Sequence, residues 1–363
     1  MPRDELTIRA LRARAVNVPM SRPLHTSGGS VTTAPLVLID LETDQGVTGH
    51  GYVFTYTPLA LAPIAGLIGN LETVVKGDAV APFEIEAKLQ RTFRLLGAQG
   101  FSLMAIGGID MAAWDALARA KDTPLVCLLG GWPKPIPAYN SNGLGIVGPD
   151  KAADEAGELT SSGFGAIKVR LGYTDAEADV AVVRAVREAV GDDVLLMSDY
   201  NQSLTVAEAK SRVARLDDEG LYWIEEPTRC DDYRGHAEIR EHARTPIQLG
   251  ENCWGPHDMA KAIDAGASDL FMPDVVKIGG ITGWLRASAL AEPIGLPVSS
   301  HLFPEVSAHL LAVTPTSHWL EYVDWANPIL GQPLEIDDGR AVAPSAPGIG
   351  LEWNEDAVAK YLA

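Results

Sequence analysis

Apolar and polar positions along the chain change rhythm twice. Up to about residue 60 they alternate with a period of two, and the run TAPLVLIDLETDQGVTGHGYVF predicts two antiparallel strands joined by a turn at Asp44, Gln45 and Gly46. From about 60 to 130 the spacing becomes helical, in APFEIEAKLQRTFRLL and in IGGIDMAAWDALARAKDTPLVCLLGG, where glycine stops the pattern. The segment GWPKPIPAYN then marks a boundary, because Pro133, Pro135 and Pro137 cannot continue a helix.

Beyond it, short apolar runs recur as IPAYNS, AIKVRLG, VLLMSDYN, YWIEEP, PIQLGEN, LFMPDVVKIGG, PVSSHLF and HWLEYV. Helical stretches such as DAEADVAVVRAVREAV and TVAEAKSRVARLDDEG separate the earlier ones. Eight strands alternating with helices predict a closed (β/α) barrel. After Glu321 the chain turns irregular and rich in Pro and Gly, and is expected to run back onto the first unit. The pattern therefore predicts an α/β protein with an α+β unit over 1–130, a barrel over 131–325 and a returning segment over 326–363.

Three of the barrel runs end in an acidic residue. Asp199, Glu225 and Glu251 follow one another at intervals of 26 residues, each at the C-terminal end of its run. A strand, a helix and two short loops take about that much chain, so successive βα units deliver one carboxylate each to the same rim. A single acidic residue there is explained as a solvated group or a helix cap. Three in register repel one another unless a cation sits between them, and oxygen ligands without Cys or His select Mg²⁺ over Zn²⁺.

Other strand ends add chemistry. Lys168 and Arg170 alternate on the second barrel strand and point inward together. Asp274 and His301 lie on adjacent strands, where a carboxylate on one imidazole nitrogen fixes the tautomer and raises the basicity of the other. Glu321 in HWLEY reaches the rim, and Asn201 shares a face with Asp199. A Glu321 carboxyl kept protonated would donate a hydrogen bond to a substrate carboxylate as it becomes an enediolate. Metal, base and electrophile together describe abstraction of the α-proton of a carboxylate.

Composition narrows the partners. A chain of 363 residues, 47% hydrophobic, buries a large core, and a formal net charge of −19 opposes nucleic acid and anionic lipid. Cys127, Cys230 and Cys253 have no CxxC spacing, which fits a reducing, cytoplasmic setting. The N-terminal MPRDELTIRALRARAV lacks an apolar leader core, and no later stretch is expected to span a bilayer.

These strings, in order and spacing, resemble the enolase superfamily, and within it the mandelate racemase group. The resemblance covers nearly the whole chain: GGIDMAAWDALARAKDTPLVCLLGG, SDYNQSL, WIEEPT, LGEN, MPDVVKIGGITGW, SSHLF and HWLE. It implies a modified TIM barrel of (β/α)7β type under an N-terminal α+β cap, with Mg²⁺ on Asp199, Glu225 and Glu251. It further implies a His301–Asp274 base dyad, Glu321 as electrophilic acid, and Ser141, Lys168 and Asn201 near the substrate carboxylate or the metal. Asp274 stands where the muconate cycloisomerase group has lysine, and Lys277 in the same string reads as structural. A small-molecule carboxylate substrate and a homo-oligomer are also implied.

In mandelate racemase the cap forms an apolar pocket, and Leu24, Val31, Phe54, Tyr56 and Leu302 keep part of that character. Gly28 stands where a β-branched residue is expected, which enlarges or loosens the pocket. The larger departure is Arg170. The family pattern is Lys-x-Lys, whose second lysine is the base on the opposite face of the substrate, and a guanidinium stays protonated. The favoured expectation is therefore dehydration of a sugar acid to a 2-keto-3-deoxy acid with His301 as the single base. Racemisation or epimerisation of a 2-hydroxy acid is the alternative, and a non-catalytic carboxylate-binding paralogue the third reading.

Overall fold

The computed structural model describes residues 6–363. Three antiparallel strands come first: β1 (Ile8–Thr26), β2 (Gly29–Thr43) and β3 (Thr48–Phe54). The turn over Asp44–Gly46 falls where the alternation placed it, closed by Thr43 N–H donating to the Val47 carbonyl at 2.9 Å. Long β1 adds a strand that the sequence left undivided, pairing with β2 from Ala10↔Glu42 to Pro19↔Thr33 and again at Leu24↔Val31.

Helices α1 (Leu61–Val75), α2 (Pro82–Thr92) and α3 (Phe101–Ala120) cover one face of this sheet, followed by the short α4 (Leu125–Leu128). Helix α3 is buried almost all round, because it packs on the sheet with one side and on the barrel with the other. Two glycines permit that approach. A Cβ at Gly49 of β3 would lie 2.1 Å from the Ala112 carbonyl, and one at Gly107 of α3 would lie 2.4 Å from the Val276 carbonyl. One turn along, Asp110 accepts from Thr282 N–H at 2.9 Å and from its hydroxyl at 2.6 Å, and Trp114 Nε1 donates to the same hydroxyl at 3.0 Å. The GGIDMAAW string is thus the contact between cap and barrel.

The barrel runs β4 (Ile136–Asn140), α5 (Pro149–Thr160), β5 (Ala166–Arg170), α6 (Ala176–Val190), β6 (Leu195–Asp199), α7 (Val206–Leu216), β7 (Ile224–Glu225), α8 (Tyr233–His242), β8 (Ile247–Leu249), α9 (Pro256–Asp264) and β9 (Leu270–Phe271). Then come α10 (Gly280–Ala291), α11 (Pro304–Val313) and β10 (Leu320–Tyr322). Strands β4 to β9 are parallel neighbours in order, and β10 pairs in parallel with β4. The segment between α10 and α11 closes the ring through single bridges, Phe271↔Val298, Val298↔Ser317 and Asp274↔His301. The seventh member is therefore a short connector rather than a regular strand, and β10, the eighth, closes the barrel on β4.

After β10, strands β11 (Ile336–Asp337) and β12 (Arg340–Ala341) extend the sheet beside β4, and α12 (Glu355–Tyr361) ends the chain. This stretch contacts the first sheet and α3. Trp353 Nε1 donates to Asp40 at 2.7 Å, Asp115 accepts from Ile349 N–H at 2.6 Å, and Val16 bridges Leu362.

Two helical stretches, Pro58–Val75 and Phe101–Ala120, do reach the length and mean hydropathy of a bilayer span, at 1.5 and 1.3. The second is the core helix α3, apolar because it is enclosed by protein. The first turns Ile64, Ile68, Leu71 and Val75 onto the sheet.

Candidate active site

Parallel register brings the strand-end carboxylates together. Asp199 closes β6 and pairs with Glu225, which closes β7; Glu251 follows β8 by two residues, past Gly250 in a left-handed conformation at φ 134°. One oxygen from each lies within 4.8 Å of the others, and all three are buried. Burial raises Asp199 above the usual carboxylate range and pushes Glu225 up to about 8, against the opposing charge of Lys168. Burial acts on Glu251 in the same direction, but the charge and hydrogen bond of His301 hold it low. Three converging buried carboxylates whose repulsion is only partly relieved fit a hard divalent cation.

Lys168 is the nearest balancing charge. Its Nζ donates to both Glu225 oxygens at 2.8 and 3.0 Å, lies 2.9 Å from Glu321 Oε1 and 3.6 Å from Asp199 Oδ2. Burial would lower it, yet Glu225, Glu321 and Asp199 together raise it, so the amine is an ammonium. Arg170, the other inward cation, is fixed by Ser141: Nη1 donates to the Ser141 carbonyl at 3.0 Å and Nη2 to its hydroxyl at 2.9 Å. Arg170 Nε is buried without a hydrogen-bond partner and forms a long ion pair with Asp199 Oδ2 at 3.9 Å.

The surroundings of Glu321 favour its charged form over the expected protonated acid. Burial favours its neutral form, but Lys168, His301 and Arg170 pull it down to about 2. It accepts from Ser141 Oγ at 2.7 Å and from Leu302 N–H at 2.9 Å. Lys168 Nζ, 2.9 Å from Oε1, is the main cause of that lowering. Asn201, at φ 46°, donates from its backbone and side chain to Asp199 at 2.7 and 2.9 Å and leaves Oδ1 buried and unpaired.

Across the rim, His301 Nδ1 lies 2.9 Å from Asp274 Oδ2, and Nε2 lies 3.0 Å from Glu251 Oε2. Asp274 is oriented by Val276 and Lys277 N–H groups, which donate to its Oδ1 at 2.8 and 3.0 Å. Burial would lower the imidazole pKa, but Glu251 and Asp274 lift it to about 10. With the Glu251 charge engaged by a cation, the largest cause of that rise is removed.

The cap reaches this rim at two places. The β1–β2 hairpin that pairs Leu24 with Val31 rests on the loops after β4 and β6: the His25 carbonyl accepts from Ile146 N–H at 2.7 Å, and Ser27 Oγ lies 3.5 Å from the Tyr200 carbonyl. A Cβ at Gly28 would meet only Thr26 Oγ1, at 3.6 Å, so the hairpin tip is loosely filled. Phe54 and Leu302 line an apolar cavity of about 20 Å³ against Trp325, too small for a ligand. Tyr56 corrects the expected apolar wall: its hydroxyl donates to Asp274 Oδ2 at 3.0 Å, and its ring is parallel to His301 at 6.5 Å.

Sequence reasoning passed over Glu226 and Asn252. Asn252 Nδ2 lies 2.9 Å from Glu251 and 2.9 Å from Glu226, whose carboxyl burial raises well above its usual range. Each directly follows a ligand carboxylate, which was the available signal. Lys277, read as structural, is buried beside Tyr56.

Residues 8–130 match the mandelate racemase/muconate lactonizing enzyme N-terminal domain, and residues 151–357 match the enolase C-terminal domain-like family. The chain belongs to the enolase superfamily. Within it, the protein is 44% identical to an enolase crystallised with Mg from alpha proteobacterium bal199, with a TM-score of 0.97 over 99% of this chain and 100% of that one. A Bradyrhizobium enolase complexed with magnesium and mandelic acid is 48% identical, with a TM-score of 0.94 over 99% of both chains. The L-talarate/galactarate dehydratase of Salmonella typhimurium is 30% identical over 90% of this chain and 82% of its own. This superfamily member is thus a Mg²⁺-dependent enzyme, and Asp199, Glu225 and Glu251 fit its metal.

Proposed function

We propose that the enzyme removes the α-proton of a 2-hydroxycarboxylate and dehydrates a sugar acid to a 2-keto-3-deoxy acid. The observation that carries this reading is the Ser141 clamp on Arg170. A guanidinium tied at both terminal nitrogens cannot serve as the second base that racemisation requires. Its Nε and the Asn201 Oδ1, both without a hydrogen-bond partner, are left to bind substrate.

His301, oriented by Asp274, takes the α-proton. When bound, Mg²⁺ supplies positive charge that balances the three carboxylates and the charge developing on the substrate carboxylate. Lys168, backed by Glu321, holds an ammonium proton toward the same charge. The electron pair left on the α carbon forms the double bond to the β carbon as the β-hydroxyl departs. Protonated His301 returns its proton to that hydroxyl, releasing water, and the enol product ketonises. The dehydratase activity named for the Salmonella relative supports this direction.

Racemisation of a 2-hydroxy acid with an aryl side chain is the second reading, favoured by the mandelic acid in the Bradyrhizobium structure and by Phe54 and Tyr56, 4.7 Å apart in the cap. Proton NMR with Mg²⁺ in D₂O separates the two, using aldonates, aldarates and both mandelate enantiomers. A deoxy keto acid establishes dehydration. Loss of the α-proton signal with inversion, and no keto acid, overturns it. His301→Asn with full activity would remove the dyad as the base, and turnover of no hydroxy acid despite Mg²⁺ binding would return the site to carboxylate binding alone.

The boundaries proposed for the three parts remain residues 1–130 for the cap, 131–325 for the barrel and 326–363 for the returning segment.

A further inference from the structure

Tyr56 stands at φ 60°, a left-handed conformation unfavourable for a residue with a Cβ. Within the cap, its loop is held by Thr57 N–H donating to the Thr55 carbonyl at 2.6 Å, and Phe54 lies against its ring. From the barrel, three groups converge on the one side chain. Asp274 accepts its hydroxyl, His301 lies parallel to its ring, and Lys277 Nζ sits 3.9 Å from the ring centroid.

Lys277 is only 4% exposed, and its hydrogen-bond partner is Asn252 Oδ1 at 2.8 Å. Asn252 also donates to Glu251 and Glu226, so the ammonium spans from the carboxylate side of the rim to the cap. A buried ammonium with this little carboxylate contact gains from an aromatic face, because desolvation strengthens cation–π attraction. The same Lys277 lends its backbone N–H to Asp274, so the residue that orients the dyad from below also meets the side chain that covers it from above.

We propose that Lys277 is a positioning residue that pins the Thr55–Thr57 loop of the cap over His301 and Asp274. The pin is the Asn252–Lys277–Tyr56 chain, and it closes the loop without help from substrate. Its consequence for turnover rests on the base-dyad reading above; the closure itself does not.

The test is amide hydrogen exchange of the Mg²⁺-loaded enzyme without substrate, followed in peptides covering residues 52–60. Lys277→Met is expected to raise exchange there about tenfold and leave the barrel strands unchanged. Lys277→Arg, which keeps a cation on the ring, restores most of the protection. Tyr56→Leu exposes the loop to the same degree, and combining it with Lys277→Met adds nothing. On a turned-over substrate, Lys277→Met raises KM more than kcat falls. Unchanged exchange at 52–60 in folded Lys277→Met overturns the proposal, as does a loss of Mg²⁺ affinity with the loop still protected, which would assign Lys277 to Glu226 and Glu251. Should Lys277→Met not fold, Tyr56→Leu decides alone: no rise in loop exchange overturns the pin. None of these exchange results depends on whether the reaction is dehydration or racemisation.

Discussion

Ser141 joins Arg170 to Glu321: its hydroxyl accepts from Arg170 Nη2 at 2.9 Å and donates to Glu321 Oε1 at 2.7 Å. The cation on the second barrel strand is therefore anchored to the acid on the last one. Replacing Arg170 by Lys frees an amine at this face, whose pKa the neighbouring Lys168 ammonium lowers. Arg170→Lys is expected to cut dehydration about tenfold and to introduce exchange of the α-proton with inversion, read by NMR in D₂O and by polarimetry. An unchanged or lower inversion rate removes the argument that Arg170 suppresses a second base.

His301→Asn keeps the bulk of the ring but removes the base. Activity is expected to fall by about 10³ or more, whereas Mg²⁺ binding by calorimetry stays within about threefold. Asp274→Asn leaves the imidazole in place and loses its orientation, with a smaller loss of about 10².

The three carboxylates destabilise the fold when no cation balances them. Mg²⁺ at about a hundred times its dissociation constant is expected to add roughly 2.7 kcal/mol to unfolding, seen as a higher melting temperature than in EDTA. Glu251→Gln removes one ligand charge and should weaken that response; a shift equal to the unmutated protein's would place the metal elsewhere.

A methyl group at Gly107 cannot fit where its Cβ would meet the Val276 carbonyl at 2.4 Å. Gly107→Ala is expected to cost about 1–3 kcal/mol in denaturant unfolding through overpacking. It should also lower activity, because Val276 lies two residues beyond Asp274. Full activity would show that the cap helix can shift without moving the dyad.

Acid should loosen the contact between α4 and α11. His309 Nδ1 accepts from Val126 N–H at 3.1 Å, and burial lowers its pKa to about 4. The unfolded chain, with a histidine near 6.5, binds more protons between those values, so stability is full above about 6.5 and declines as pH falls toward 4. Urea midpoints at pH 7.5 and 5 measure the slope, and His309→Gln is expected to flatten it.

The hydrophobic rhythm carried the architecture, because the period-two start, the helical middle and the recurring apolar runs each report which faces meet a core. The 26-residue interval carried the metal site for a related reason: equal βα units deliver equal strand ends to one rim. The same alternation put Lys168 and Arg170 inward together, as they are found.

What the sequence could not decide is how charges at that rim are shared. Glu321 read as a protonated acid, but which form is favoured depends on Lys168 at 2.9 Å, a distance set by barrel closure between β10 and β4. Tyr56 read as an apolar wall, but its hydroxyl finds Asp274, 218 residues away, only when the cap docks. Local pattern fixes which way a side chain points, since that is a property of backbone period. Ionisation and hydrogen-bond partners depend on groups distant in the chain brought within a few ångströms in a medium that screens poorly, and only the closed barrel under its cap determines them.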